Sequence, residues 1–182
     1  IGVQVQFNES DLAFLRRLEA SLQAGARLVQ LRAHEFNDTD YRRLAGLALP
    51  ICRAAGARLL LNRDPEQVQG VEADGLHLRA DALRRLGARP EAQGLVGAPC
   101  HDAGELELAA RLGLDYALLG PVLKTATHPD TEPLGWEAFA RLADAAGLPV
   151  YALGGLSPDH LPLSFEHGAQ GIAAIRGLWL PV

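Results

Sequence analysis

The side chains of this chain that can do chemistry stand at the ends of short apolar runs. Arg32 closes the run 28–31, with His34 two residues on, and Asn62 follows the run 58–61. A guanidinium at the end of an apolar strand is costly without an anion beside it. Arg32 therefore reads either as a ligand for an anionic group or as half of a structural ion pair. Asn62 reads either as a ligand-orienting amide or as a tie to neighbouring backbone. The run 150–153 ends in Gly154-Gly155, and Ser157-Pro158 opens the helix beyond. Paired glycines let backbone N–H groups approach an anion, and a helix N-terminus adds positive charge; a tight turn with positive φ is the plainer alternative. After the run 116–119 comes a long hydroxyl-rich segment with Lys124, Thr125, Thr127 and His128. It suits phosphate oxygens or a polar ring substituent, and equally a solvated loop shaped by Pro121, Pro129 and Pro133.

His34, His77, His101 and His128 have the chemistry of acid–base groups or metal ligands, but none has a close His, Cys, Asp or Glu spacing. A hydrogen-bonded structural role is the ordinary expectation for each alone. Cys100-His101 suggests a nucleophile and its base, yet neighbours in sequence seldom face each other, so Cys100 is expected to pack. No G-x-S-x-G elbow and no Walker loop is present.

These residues need elements to position them, and the chain repeats one phrase: apolar strand, polar or glycine-rich tip, amphipathic helix, Gly-Ala-type stop. Strands are expected at 3–7, 28–31, 58–61, 75–78, 95–98, 116–119, 150–153 and 171–174. Most are continuous apolar runs, as parallel strands buried on both faces require. Ser10 precedes a helix with Leu12, Leu15, Leu18 and Leu22 on one face, ended by Gly25. Asn37 or Thr39 opens the next, which carries Pro50 and ends at Gly56. Asp64-Pro65 resembles a cap followed by Pro at the first helical position, and Asp102 with Glu105 has capping-box spacing. A short helix at about 177–180 closes the pattern. Eight such units fit an α/β fold, either a closed (β/α)8 TIM barrel or an open doubly wound sheet. The absence of a glycine fingerprint after the first strand favours a compact barrel.

Composition narrows the rest. With 182 residues, 48% of them hydrophobic, the chain supports one core and one domain, residues 1–182. Seventeen Lys and Arg against 22 Asp and Glu give a net charge of −5, which disfavours nucleic acid and membrane surfaces as partners. Two cysteines in unrelated contexts point to a reducing cytoplasm. The chain starts at Ile1 and has no Met, so it reads as a piece of a longer protein.

Taken together, the strand-tip residues resemble the thiamine phosphate synthase/TenI family. The match runs in family order through Val29-Gln30-Leu31-Arg32, Leu60-Leu61-Asn62, Ala73-Asp74-Gly75-Leu76-His77-Leu78, Leu119-Gly120-Pro121-Val122 with Thr125 and Thr127, and Ala152-Leu153-Gly154-Gly155-Leu156-Ser157. It covers about 28 to 175. The resemblance implies a TIM barrel in thiamine metabolism that binds a phosphorylated thiazole or a pyrimidine diphosphate. Its activity would be a transferase reaction giving thiamine phosphate, assisted by Mg2+. It implies that Gln30, Arg32 and Asn62 serve the pyrimidine diphosphate, Thr125 and Thr127 the thiazole phosphate, and Gly154, Gly155 and Arg176 the phosphate region, with Arg32, His34 and His128 as catalytic candidates.

The departures concern the metal and the cations. His34 and His128 stand where the family has Lys, Arg63 and Ala82 replace its two acidic metal ligands, Pro99 and Arg176 replace serines, and Asp81 is left beside Ala82. The tautomerase branch would place its catalytic His at Pro121. The chain also resembles synthase-related domains that follow a Nudix hydrolase, so the alternative expectation is a catalytically degenerate phosphate-binding or regulatory domain attached to such an enzyme. Expected partners are a small phosphorylated ligand, an upstream Nudix domain and a second copy in a homodimer.

Overall fold

The computed structural model describes residues 2–4, 10–125 and 130–179. Eight strands form one sheet in chain order: β1 Gly2–Gln4, β2 Leu28–Arg32, β3 Arg58–Leu61, β4 Gly75–His77, β5 Leu95–Cys100, β6 Tyr116–Leu119, β7 Val150–Leu153 and β8 Ile172–Ala173. Each neighbouring pair is parallel, from Gly2 opposite Gln30 to Leu153 opposite Ala173. The helices between them are α1 Asp11–Gln23, α2 Asp38–Ala54, α3 Ala80–Arg85, α4 Ala103–Arg111, α5 Gly135–Ala145 and α6 Leu161–Glu166. Strand and helix alternate because each all-apolar run, such as the fully buried Tyr116–Leu119, must be covered on both faces.

The sheet curls strongly. Leu60 on β3, Tyr116 and Leu118 on β6, and Ala173 on β8 belong to one buried cluster. In a flat sheet, β3 and β8 would lie roughly 24 Å apart at about 4.8 Å per strand, so one face must be rolled inward. Gly97 makes room for this interior: a Cβ there would lie 2.1 Å from Cζ of Tyr116, its neighbour on the next strand. Alternate residues face outward, where Val29, Leu31, Leu59 and Leu61 meet α1 and α2, and Val96, Ala98, Ala117 and Ala152 meet the later helices.

The local signals largely operate as the residue types require. Ser10 accepts from the Ala13 N–H at 3.3 Å and Asn37 from the Asp40 N–H at 2.9 Å, the side-chain caps that first turns need. Asp64-Pro65 opens only the 3-10 turn Pro65–Val68. The inward face of α1 is Phe14, Leu18 and Leu22, whereas Leu12 is 60% exposed. It is corrected from the expected stripe because Phe14, Leu18 and Leu22, at successive intervals of four, set the angle of that face. The segment after β8 is also corrected: residues 175–179 form turns rather than a helix, with Trp179 N–H on Ile175 O at 2.9 Å. Trp179 is buried against Phe14, ring centroids 5.3 Å apart, with the Arg17 guanidinium over its indole. That contact brings the end of the chain onto α1. Ladders among the described residues run from β1–β2 to β7–β8 and include none between β8 and β1. The expected strand residues 5–7, and Leu180, lie outside the described residues.

Candidate functional site

At the carboxyl ends of the strands is a cleft of about 450 Å³. Its walls come from the tips of β2 and β5, the segment after β6, the end of β7 and the residues following β8. Arg32, Lys124 and Arg176 line it, together with His101, and no carboxylate is among its described lining residues. Concentrated positive charge in a concave, partly apolar site attracts anions more strongly than the same charges on open surface.

Gly154 and Gly155 shape one wall. Both have positive φ, 102° and 70°, the region that favours glycine. They also permit close approach: a Cβ on Gly154 would sit 2.6 Å from Pro121 Cα, and one on Gly155 would sit 2.5 Å from Lys124 O. The loop after β6 is laced to them by Val122 N–H on Leu153 O at 2.8 Å and Leu123 N–H on Gly154 O at 3.1 Å. The glycine pair thus seats the loop that carries Lys124 and Thr125.

The structure brings Arg32, Thr125, Gly154, Gly155 and Arg176 together around this cleft. Thr127 and His128 lie outside the described residues. Gln30, His34 and Asn62 are not among the lining residues. Gln30 is half-buried two positions before Arg32 on β2. His34 accepts at Nε2 from Arg32 Nε at 2.9 Å, and burial, with the charge of Arg32 next, lowers its pKa. A neutral His34 therefore steadies the arginine from behind. Asn62 is buried; its amide donates to His77 O at 2.7 Å, while its N–H donates to Tyr41 OH at 3.0 Å. His77 in turn shares a 2.7 Å hydrogen bond with Tyr116 OH. Burial, helped by the Arg32 charge, pushes the His77 pKa down to about 3, so this imidazole is neutral. Cys100 is buried, and burial pushes its thiol up to about 12, which leaves a packed thiol and no nucleophile.

His101 is the lining residue whose placement spacing alone did not reveal. Asp102 caps α4 by accepting from Glu105 N–H at 2.9 Å. Glu105 does not return to the cap residue. Its Oε2 accepts instead from the His101 N–H at 2.7 Å and meets His101 Nδ1 at 2.8 Å, while Arg84 of α3 holds Oε1 at 2.7 Å. Burial opposes ionisation of Glu105, but the hydrogen bonds from His101 and Arg84 outweigh it and keep the carboxyl below its ordinary range. The capping spacing was the sequence signal; its fourth residue turned out to clasp the histidine.

Mg2+ needs hard oxygen ligands, and the residues present at the family's metal positions do not provide them. Arg63 is buried and turned away: it donates to Ala33 O at 2.9 Å and to Phe36 O, pairs with Asp38 at 3.3 Å, and lies over the Tyr41 ring. Ala82 has no donor, and neighbouring Asp81 is held by Arg85 at 2.8 Å and Arg79 at 3.3 Å. Among the described residues no group of three or more His, Cys, Asp or Glu could hold a metal ion. The site therefore does not fit the family's Mg2+. A larger groove of about 630 Å³ beside α2 is lined by Arg42, Pro50, Arg53 and Glu72. Arg53 is already paired there with Glu72 and Asp74. No helix among the described residues is long and apolar enough to cross a membrane.

A curled parallel sheet with helices outside and a cationic cleft at its strand ends places the chain in the TIM-barrel-like α/β class. Residues 5–178 match the family model described as thiamine monophosphate synthase. The chain belongs to that family, which serves thiamine biosynthesis. It is 34% identical to the thiamine-phosphate synthase of Laribacter hongkongensis, covering 90% of this chain and 79% of that protein. It is 37% identical to the thiamine biosynthesis bifunctional protein ThiM/ThiE of Symbiobacterium thermophilum, over 88% of this chain but only 34% of that longer protein. Among solved structures, thiamine phosphate pyrophosphorylase from Pyrococcus furiosus superposes with a TM-score of 0.76 at 20% identity, covering 96% of this chain and 83% of that one. That likeness shows the fold.

Proposed function

We propose that the cleft binds a phosphorylated thiazole or pyrimidine, and that this chain either joins the two into thiamine phosphate or holds such a ligand without turnover. The observation that carries the reading is the gathering of Arg32, Lys124, Arg176 and the Gly154-Gly155 turn around one concave site without a lining carboxylate. Phosphate groups suit fixed guanidinium donors, backbone N–H groups and positive potential. On this reading the sheet closes into the full (β/α)8 ring, an arrangement supported by Trp179 docking on α1. The names of the relatives supply the substrate class.

Binding without turnover is favoured by Arg63 and Ala82, which leave no carboxylates at the metal positions. The relatives described above lend no support to a Nudix attachment. Calorimetric titration with thiazole phosphate tests binding, and no heat with that ligand or with thiamine phosphate overturns the reading. Incubation with thiazole phosphate and pyrimidine diphosphate, with Mg2+ and with a chelator, separates the two forms. Thiamine phosphate formed with Mg2+ supports the synthase; its absence at high enzyme concentration, with binding retained, supports the binding domain.

A further inference from the structure

We propose that His101, oriented by Glu105 and Arg84, is a binding residue of the cleft that donates a hydrogen bond from Nε2 to the phosphate oxygens of the ligand. The inference rests on the phosphate-ligand reading above and adds a pH-dependent member to it. Three observations support it. First, His101 lines the same cleft as Arg32, Lys124 and Arg176 while its side chain remains 49% exposed. Second, its Nδ1 faces the ionised Glu105 at 2.8 Å. A carboxylate only accepts, so Nδ1 carries a proton in both charge states and Nε2 is the atom that gains or loses one. Third, Glu105 is itself immobilised. It is buried, accepts from the His101 backbone N–H, and is gripped by Arg84 at 2.6 Å. An imidazole held by its far nitrogen through a buried carboxylate has a fixed direction, which reduces the ordering cost of donating to a ligand.

The charged groups facing His101 are Glu105 on α4, with Arg84 of α3 behind it and Asp102 at the α4 cap, and the cleft cations Arg32, Lys124 and Arg176. A phosphate oxygen that accepts from Nε2–H couples ligand binding to protonation of that nitrogen, and each strengthens the other. The sign follows. A phosphate ester gains charge as pH rises through about 6, so a site of permanent cations alone binds it more tightly at higher pH. A site that includes protonated His101 loses a donor over the same range.

Titration calorimetry in a chelating buffer, with thiazole phosphate and separately with inorganic phosphate, tests this on wild type, His101→Asn and Glu105→Gln. At about pH 6, wild type should bind about tenfold more tightly than His101→Asn, and at about pH 8.5 the two should agree within about twofold. Glu105→Gln should also lose the excess affinity at low pH. Equal affinities of wild type and His101→Asn at both pH values overturn the inference and leave the proposed function standing. Failure of wild type to bind either probe overturns both. Nitrogen NMR of the imidazole is independent of the variants: saturating phosphate should raise protonation at His101 Nε2, and an unchanged spectrum overturns the assignment.

Discussion

The two sides of the strand-end surface have diverged in what their charged groups do. On the side built from β6, β7 and the residues after β8, Lys124, Arg176 and the glycine turn line a cleft, with Arg32 and His101 completing it. On the side of β3 and β4, comparable polar chemistry is turned inward. Arg63 is spent on Ala33 O, Phe36 O and Asp38, Asn62 is tied to His77 O and Tyr41 OH, and His77 reaches across the interior to Tyr116 OH of β6. Position at a strand tip is therefore not sufficient for a site role. On the β3–β4 side, carbonyls and a carboxylate of the folded chain lie within reach of these groups and take them up. Buried polar groups must find partners, and on the β3–β4 side the protein itself supplies them.

The largest effect that would sharpen this contrast is on acid stability. His77 is buried with its pKa pushed down to about 3, well below the ordinary 6.5 of the unfolded chain. The folded state thus binds fewer protons, so stability present above pH 6.5 is lost as pH falls toward 3. The loss should reach about 3 kcal/mol by about pH 4. Urea unfolding should show a flatter acid limb for His77→Asn; an identical slope would break the claim that this side is a structural network.

Next in size, Arg63→Met should cost about 2–3 kcal/mol, because it strips the donor from two loop carbonyls. Phosphate affinity should change by less than about twofold, since Arg63 points away from the cleft; a tenfold loss of affinity would erase the comparison. Arg32→Gln should do the opposite, weakening thiazole phosphate binding by about tenfold while shifting stability little. Binding unchanged in that variant would remove Arg32 from the site. The smallest effect is expected for Asp81→Asn. Its carboxylate is exposed and already shared by two arginines, so neither ligand affinity nor any response to Mg2+ should change measurably.

Much of the framework was legible in the chain. Arg58–Leu61, Tyr116–Leu119 and Val150–Leu153 fall where their apolar runs end at Asn, Gly-Pro and Gly-Gly. In parallel strands buried on both faces, the boundary is set by where polar or turn-forming residues begin. α3, six residues long, was missed because it is too short for a helical period to register. β8 is two residues long rather than four.

Of the residues lining the cleft, Arg32, Thr125 and the glycines are marked by their place after apolar runs, and Arg176 by the family resemblance. Residue spacing alone gives His101 the ordinary reading of a hydrogen-bonded structural histidine. Its partner Glu105 lay in plain view, but only the orientation of β5 shows that the pair borders the cleft.

What the amino-acid order determined by itself was the alternation of strand and helix, the glycine turn after β7 and the presence of Arg63 and Ala82 where the family resemblance implies carboxylates. These depend on neighbours along the chain or on residue identity. What the tertiary structure alone decided was the direction of each charge. Arg63 meets carbonyls some 30 residues earlier in the chain, Asn62 meets His77, and His101 is aimed through Glu105 by an arginine on another helix. Long flexible side chains settle where desolvated partners await them, and those partners come within reach only once the sheet has curled.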